Sequence, residues 1–465
     1  MQSELLNIFT WFLFSYDVSY GFVNSKNQTI IMKRFLVTCM VLLGLSGIAL
    51  AQERPVAFTG ATIYPVTSGV IENGVLVVHR GKITAVGGPN TRIPNNAERI
   101  DVSGKVIIPG IVDTHSHIGR GDGGDASSAT HPDVRIVDAI DARSDTFKKA
   151  RTGGITTVNV MPGSGHLLSG QTVYLKLRDG STIYDLLIEK DIQNGIIGGI
   201  KMANGTNPIR SSGTFPGTRA RSAAMARELF VRAQDYQKRI QSAGDDTSKL
   251  PARDLKMEAM VEVLEGRRVV HFHTHRHDDI LTVLRLRDEF GFRVVLHHVS
   301  EAAMVADELA KSGVPSSIIV LDTPGGKLEA MNLVYENAVA LEKAGAEFGF
   351  HTDDGITDSR LFLRMAAYGI RAGLSREKAL EALTIAGAKM LDLEHRVGSL
   401  DQGKDADFVI LNGDPFSVYT FVQETWIEGQ KVYDRNVPDH RKYSTGGFEV
   451  FRGEIHDHHE VGGHE

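Results

Sequence analysis

The chain has one cysteine, Cys39, in 465 residues, and it sits close to the N-terminus. With no second thiol there is no intramolecular disulfide, and a metal site further along must be built from His, Asp, Glu or Lys. Excess basic charge is also missing. The 51 Lys and Arg residues are outnumbered by 57 Asp and Glu residues, for a net charge of −6. That balance argues against nucleic acid or an anionic membrane surface as a partner. What remains, 42% hydrophobic and 23% charged residues, is the composition of an ordinary globular protein. The length leaves room for a large barrel and a small companion.

Near the N-terminus, Met32-Lys33-Arg34 leads into FLVTCMVLLGLSGIALAQ. A basic start, an apolar run too short for a bilayer span, and the small-x-small site Ala49-Leu50-Ala51 read as a signal peptide over 32–51, cut before Gln52. Residues 1–31 then read as a mis-assigned upstream extension, with translation starting at Met32. The expectation is an exported protein, periplasmic or secreted, with no membrane span in its mature form.

After Gln52, VAFTGATIYPVTSGVIENGVLVVHRGKITAVGG reads as short strands broken by Gly-rich turns, and VGSLDQGKDADFVILNGDP far downstream reads the same way. Between them, strands and helices alternate, which argues for parallel βα units. Eight strands are expected, at 111–117, 155–161, 171–176, 196–202, 269–274, 293–298, 317–321 and 347–352. Helices are expected at 138–151, 226–241, 278–290, 301–312, 329–344 and 375–390. The fold class is therefore α/β: a (β/α)8 TIM barrel over 109–392, with a small β-sandwich shared by 52–108 and 393–436. Residues 203–268 read as a helical insertion. Residues 437–465 form a His-rich tail whose end, HDHHEVGGHE, reads as disordered.

Active sites of such barrels lie where the strands end. In GIVDTHSHIG, His115 and His117 are two residues apart and so share one face of a strand, where two imidazoles can bind one ion. Four more polar clusters follow apolar strands. VVHFHTHRHDDI carries His271, His273, His275 and His277, and VVLHHVSEA carries His297 and His298. FGFHTDDG carries His351, Asp353 and Asp354, and in IIGGIKMANG Lys201 ends an apolar strand. Alternation cannot choose among His271, His273 and His275, whereas His297 and His298 are expected on opposite faces.

VDTHSH on the first strand, His on the fifth and sixth, and HTDD on the eighth resemble the amidohydrolase superfamily, in its imidazolonepropionase-like branch. The resemblance covers roughly residues 55–435. It implies that His115 and His117 bind the more buried metal and that His273 and His298 bind a second. It also implies that Lys201, as a carbamate, bridges the two, and that Asp353 both binds metal and shuttles the proton. The implied cofactors are one or two divalent ions, zinc foremost. The implied reaction is hydrolysis of a C–N bond in an amide, cyclic amide or short peptide. Substrate contacts are expected from His275, Arg219 and His166. The Gly-rich loop GRGDGGDASSATHPDVR, with Asp122, Asp125, His131 and Arg135, is expected to be mobile. A homo-oligomer is expected from family habit. A deaminase is the rival enzyme, but the Glu that such enzymes place shortly after the fifth-strand His is replaced by Thr274, His275 and Arg276. A non-catalytic scaffold would be expected to have lost ligands that this chain keeps.

Overall fold

The structure is a computed structural model that describes residues 54–447, apart from 122, 189–194, 212 and 320–325. The expected leader, the segment ahead of it, Asp122 and the His-rich end all lie outside the described residues. No helix among the described residues is long and apolar enough to cross a membrane.

The described residues open with five strands, β1 (Val56–Ile63), β2 (Ile71–His79), β3 (Lys82–Gly87), β4 (Glu98–Asp101) and β5 (Val106–Pro109). β1 pairs antiparallel with β2 on one side, and parallel with β4 and then β5 on the other. The following nine strands are β6 (Ile111–Ser116), β7 (Ile155–Val160), β8 (Leu168–Gln171), β9 (Val173–Lys176), β10 (Ile200–Ala203), β11 (Val270–Thr274), β12 (Val294–His298), β13 (Ser316–Ile318) and β14 (Phe348–Phe350). The last three, β15 (Phe408–Leu411), β16 (Val422–Ile427) and β17 (Gln430–Asp434), return to the first group by antiparallel pairing of β15 with β5.

The first and last strands of the described residues thus share one mixed sheet, ordered β17-β16-β15-β5-β1-β2-β3 with β4 beside β1. The sheet curls until Ile83, at one edge, exchanges backbone hydrogen bonds with Gly403 and Lys404 just before β15. Inside the curl, Phe58 meets Phe408 and Trp426 edge-on at 5.0 Å, and the latter two stack at 5.5 Å. These buried aromatic pairs stabilise the domain beyond the area they remove from water.

The nine middle strands form a closed ring of eight staves. One ladder runs β6-β7-β9 and the other β8-β10-β11-β12-β13-β14. β8 and β9 together make the third stave, and Thr172 and Tyr174 complete the seam by donating to Gly199 and Ile197. The second seam lies between the first and last staves, where Asp353 N–H donates to the His115 carbonyl and His117 N–H to the Asp354 carbonyl. The fold is thus a TIM-type barrel, with one departure from uniform βα alternation. β9 runs antiparallel to β7, and β8 antiparallel to β10. The cause is connection length. Only residues 161–167 separate β7 from β8, and a parallel return needs a dozen or more residues.

The outer edge of β8 is covered by the first loop. His131 N–H donates to the Leu168 carbonyl, Leu168 N–H to Ala129, and Gln171 N–H to Val134. The expected mobile loop is therefore pinned by backbone bonds over 129–134. Residues 203–268 hold two helices where one was expected: Arg219–Ala243, capped by Thr218, and Leu255–Leu264, capped by Asp254. A helix over Phe362–Ala372 and another over Pro438–Thr445 were likewise not anticipated.

Barrel and sheet are locked by a buried charge cluster. Lys176, at the end of β9, is fully buried and contacts Asp405, with Asp407 and Glu428 each at 3.1 Å. Burial works to raise the carboxyl pKa values, but Lys176 pulls Asp405 down to about 2, and Arg178 with Lys176 pulls Glu428 down to about 2. Carboxyls depressed on folding add stability that is complete above their unfolded values near 4 and is lost as pH falls toward 2. Lys176→Met, which strands these carboxylates, is expected to cost about 3–5 kcal/mol in urea unfolding at pH 7. The loss should shrink as the pH is lowered from 4 to 2. A pH-independent loss, or none, would contradict this account.

Candidate active site

The first and eighth staves are joined by a buried carboxylate at the rim. Asp113 accepts from Thr352 N–H at 3.0 Å, from the Thr352 hydroxyl at 2.5 Å, and from His115 N–H at 3.3 Å. This places Asp353, in the left-handed region at φ 51°, directly over the two histidines of β6. Asp tolerates that conformation better than most residues. Burial pushes Asp113 up to about 7, against the hydrogen bonds from Thr352.

Four sequence-expected residues converge at this point. Asp353 Oδ1 is 3.0 Å from His117 Nε2 and 3.3 Å from His115 Nε2, and the two imidazole nitrogens are 3.3 Å apart. Lys201, fully buried on β10, brings its Nζ 3.1 Å from His115 Nε2 and 2.9 Å from Met161 Sδ. His117 Nδ1 faces the Met161 carbonyl at 2.8 Å, which orients the ring so that Nε2 faces Asp353. Next to this group, His273, His275 and His298 bring a nitrogen each within 4.8 Å of one another, and His298 Nδ1 is 3.8 Å from Asp353 Oδ2. His275 stacks on His298 at 4.8 Å and bonds the Ser300 hydroxyl through Nδ1.

Electrostatics keep His115, His273, His275 and His298 in a metal-binding protonation state. Burial, then the charge of Lys201, holds His115 well below the ordinary imidazole range. Burial does the same to His273, His275 and His298. Burial also pushes Lys201 down to about 7. Burial opposes ionisation of Asp353, but the hydrogen bond and charge of His117 hold its carboxyl well below the usual range. His273 Nδ1, His275 Nε2 and His298 Nε2 are buried with no hydrogen-bond partner among the described residues. Bare nitrogens on neutral imidazoles beside an ionised carboxylate are a donor set that fits one or two divalent ions of the zinc type.

Other expected residues lie elsewhere. Arg219 is committed to Asp279 at 2.8 Å and Glu329 at 3.1 Å. His166 is buried on the 161–167 turn against His131 and Phe215, at 6.0 and 5.2 Å between ring centres. Asp354 points away from the histidines, toward Lys149 at 2.8 Å and Ser359 N–H.

His297 and His298 do not divide between two faces. Both ring centres lie 4.9 Å from that of His115, because the chain leaves the pleat at His298 (φ 72°) and Val299 (φ 46°). His271 forms the deeper layer, between Tyr174 at 2.9 Å and His297 at 3.0 Å. His351 contacts His298 at 3.2 Å and is anchored by Ser317 at 2.8 Å. Its place was signalled by FGFHTDD, two residues before Asp353. Asp113 and Lys327 were not singled out in the sequence. Asp113 was visible only as the acid of VDTHSH, and Lys327 carried no local signal. Removing the support under the rim without touching it, by Asp113→Ala, is expected to weaken zinc binding about 10- to 100-fold. Chelator competition would measure this, and unchanged affinity would refute the staple's role.

A model of the amidohydrolase family matches residues 106–432. The chain is 27% identical over 395 residues to amidohydrolase tasK of Hapsidospora irregularis, covering 78% of this chain but 40% of that protein's length. It is 24% identical over 386 residues to the imidazolonepropionase of Agrobacterium fabrum, covering 75% and 87% of the two chains. The crystal structure of an amidohydrolase from Thermotoga maritima superposes with a TM-score of 0.76 at 34% identity, over 82% of this chain and all of that one. The match reaches from the strand before the first histidine pair to the return of the terminal sheet, and the chain belongs to the amidohydrolase family.

Proposed function

We propose that the protein is a metal-dependent hydrolase that cleaves the C–N bond of an amide, a cyclic amide or a short peptide. The observation that carries the reading is the meeting of His115, His117, Lys201 and Asp353, from three separate staves, at one point of the rim. His115, His117 and Asp353 would hold one divalent ion, and His273 and His298 a second. Zinc suits both sets. Ions held there would polarise the scissile carbonyl and lower the pKa of the attacking water toward neutrality.

Asp353 takes the proton of that water and returns it to the leaving nitrogen. Lys201, as a carbamate, would add a ligand for the ions. Its amine, brought down to about 7 by burial, is neutral often enough to capture carbon dioxide. His275, stacked beside His298, touches the substrate. The protein works outside the cytoplasm, a reading supported by the basic-apolar-small pattern of residues 32–51.

Asp353→Asn is expected to reduce amine release from an N-acyl amino acid or amide about 100- to 10,000-fold. Dialysis against a chelator should abolish turnover, and zinc should restore it. Undiminished turnover after either treatment would overturn the reading. Protein loaded with 13C-bicarbonate should give a carbamate resonance that Lys201→Arg removes.

A further inference from the structure

The rim carries a cation that this chemistry does not use. Lys327, on the segment between β13 and β14, brings its Nζ 3.4 Å from His273 Nε2 and 2.5 Å from Asn207 Oδ1. Asn207 is itself fixed by donating to the Ser164 hydroxyl at 2.6 Å. The third neighbour is Glu329, 3.0 Å away. That carboxylate is already engaged through its other oxygen, by Arg219 at 3.1 Å and Thr206 N–H at 2.8 Å. The Lys327 side chain is 31% exposed and that of Glu329 2%.

The His273 contact cannot survive metal loading. Nδ1 of that ring is buried and without a partner. When Nδ1 gives its lone pair to an ion, the remaining ring proton sits on Nε2, which then donates and can no longer accept from an ammonium. One N–H of Lys327 is left beside the centre in need of an acceptor, close to where the scissile bond must lie.

We propose that this acceptor is a substrate carboxylate next to the scissile C–N bond, anchored by Lys327. The substrate class is then N-acyl amino acids and dipeptides with a free C-terminal carboxylate, in preference to neutral amides. The proposal rests on the hydrolase reading above and narrows it.

The test is calorimetric binding to the zinc-loaded protein, with N-acetyl-L-alanine and N-acetyl-L-alaninamide as probes. The wild type is expected to bind the acid about 10- to 100-fold more tightly than the amide, the range for a hydrogen bond to a charged group. Lys327→Met and Lys327→Gln should each bind the two probes equally, while Lys327→Arg keeps the preference. A merely structural Lys327 would weaken both probes alike and leave their ratio unchanged. The proposal is overturned if the wild type shows no preference, if neither probe binds, or if the preference survives in a folded Met or Gln variant. Failure of the hydrolase reading appears separately, as no amine release from any acid or amide while the binding preference stands.

Discussion

The rim depends on how the eighth stave meets the first. The backbone bonds there involve the metal-binding candidates themselves, Asp353 donating to His115 and His117 to Asp354. The Asp113 carboxylate, fully buried, ties Thr352 to the same strand. A carboxylate from one end of the barrel sequence is thereby set beside imidazoles from the other end, within hydrogen-bond distance and without a flexible loop between them. Rigid strand ends hold catalytic geometry more closely than loops do. The terminal sheet extends the same closure, since β5 leads directly into β6 and β15 pairs with β5.

Burial governs the chemistry of the group. Buried imidazoles resist protonation, so His273, His275 and His298, with ring centres 4.4 to 4.8 Å apart, need not repel one another. The same burial that lowers Lys201 opposes ionisation of Asp353, and the neighbouring His117 outweighs it. The result is a set of lone pairs and one negative charge in an enclosed place. Such a set is expensive to maintain unless a cation binds it.

Much of this was legible in the sequence. The histidine spacings, the apolar runs before them and the HTDD at the last strand are local patterns, and they identified eight staves and the converging residues. The failures were non-local or conformational. Alternation divided His297 from His298, but positive φ at His298 and Val299 breaks the period of two. The turn after β7 holds too few residues for a crossover, a constraint outweighed by the apparent βα rhythm. Arg219 stood out as a basic residue near the insertion, yet its acidic partners Asp279 and Glu329 lie 60 and 110 residues away in sequence. Lys327 reaches the rim from a segment with no periodicity to mark it.

The reversed third stave has a corollary for loop length. Because the first loop hydrogen-bonds along the outer edge of β8, and β8 pairs with β10 through Gly170 and Lys201, that loop is spliced into the same ladder as the lysine. Lengthening or trimming residues 129–134 would shift β8 and, with it, the Lys201 amine. A change of loop length on this side is therefore felt at Lys201, whereas an exchange of side chains there leaves the ladder in place.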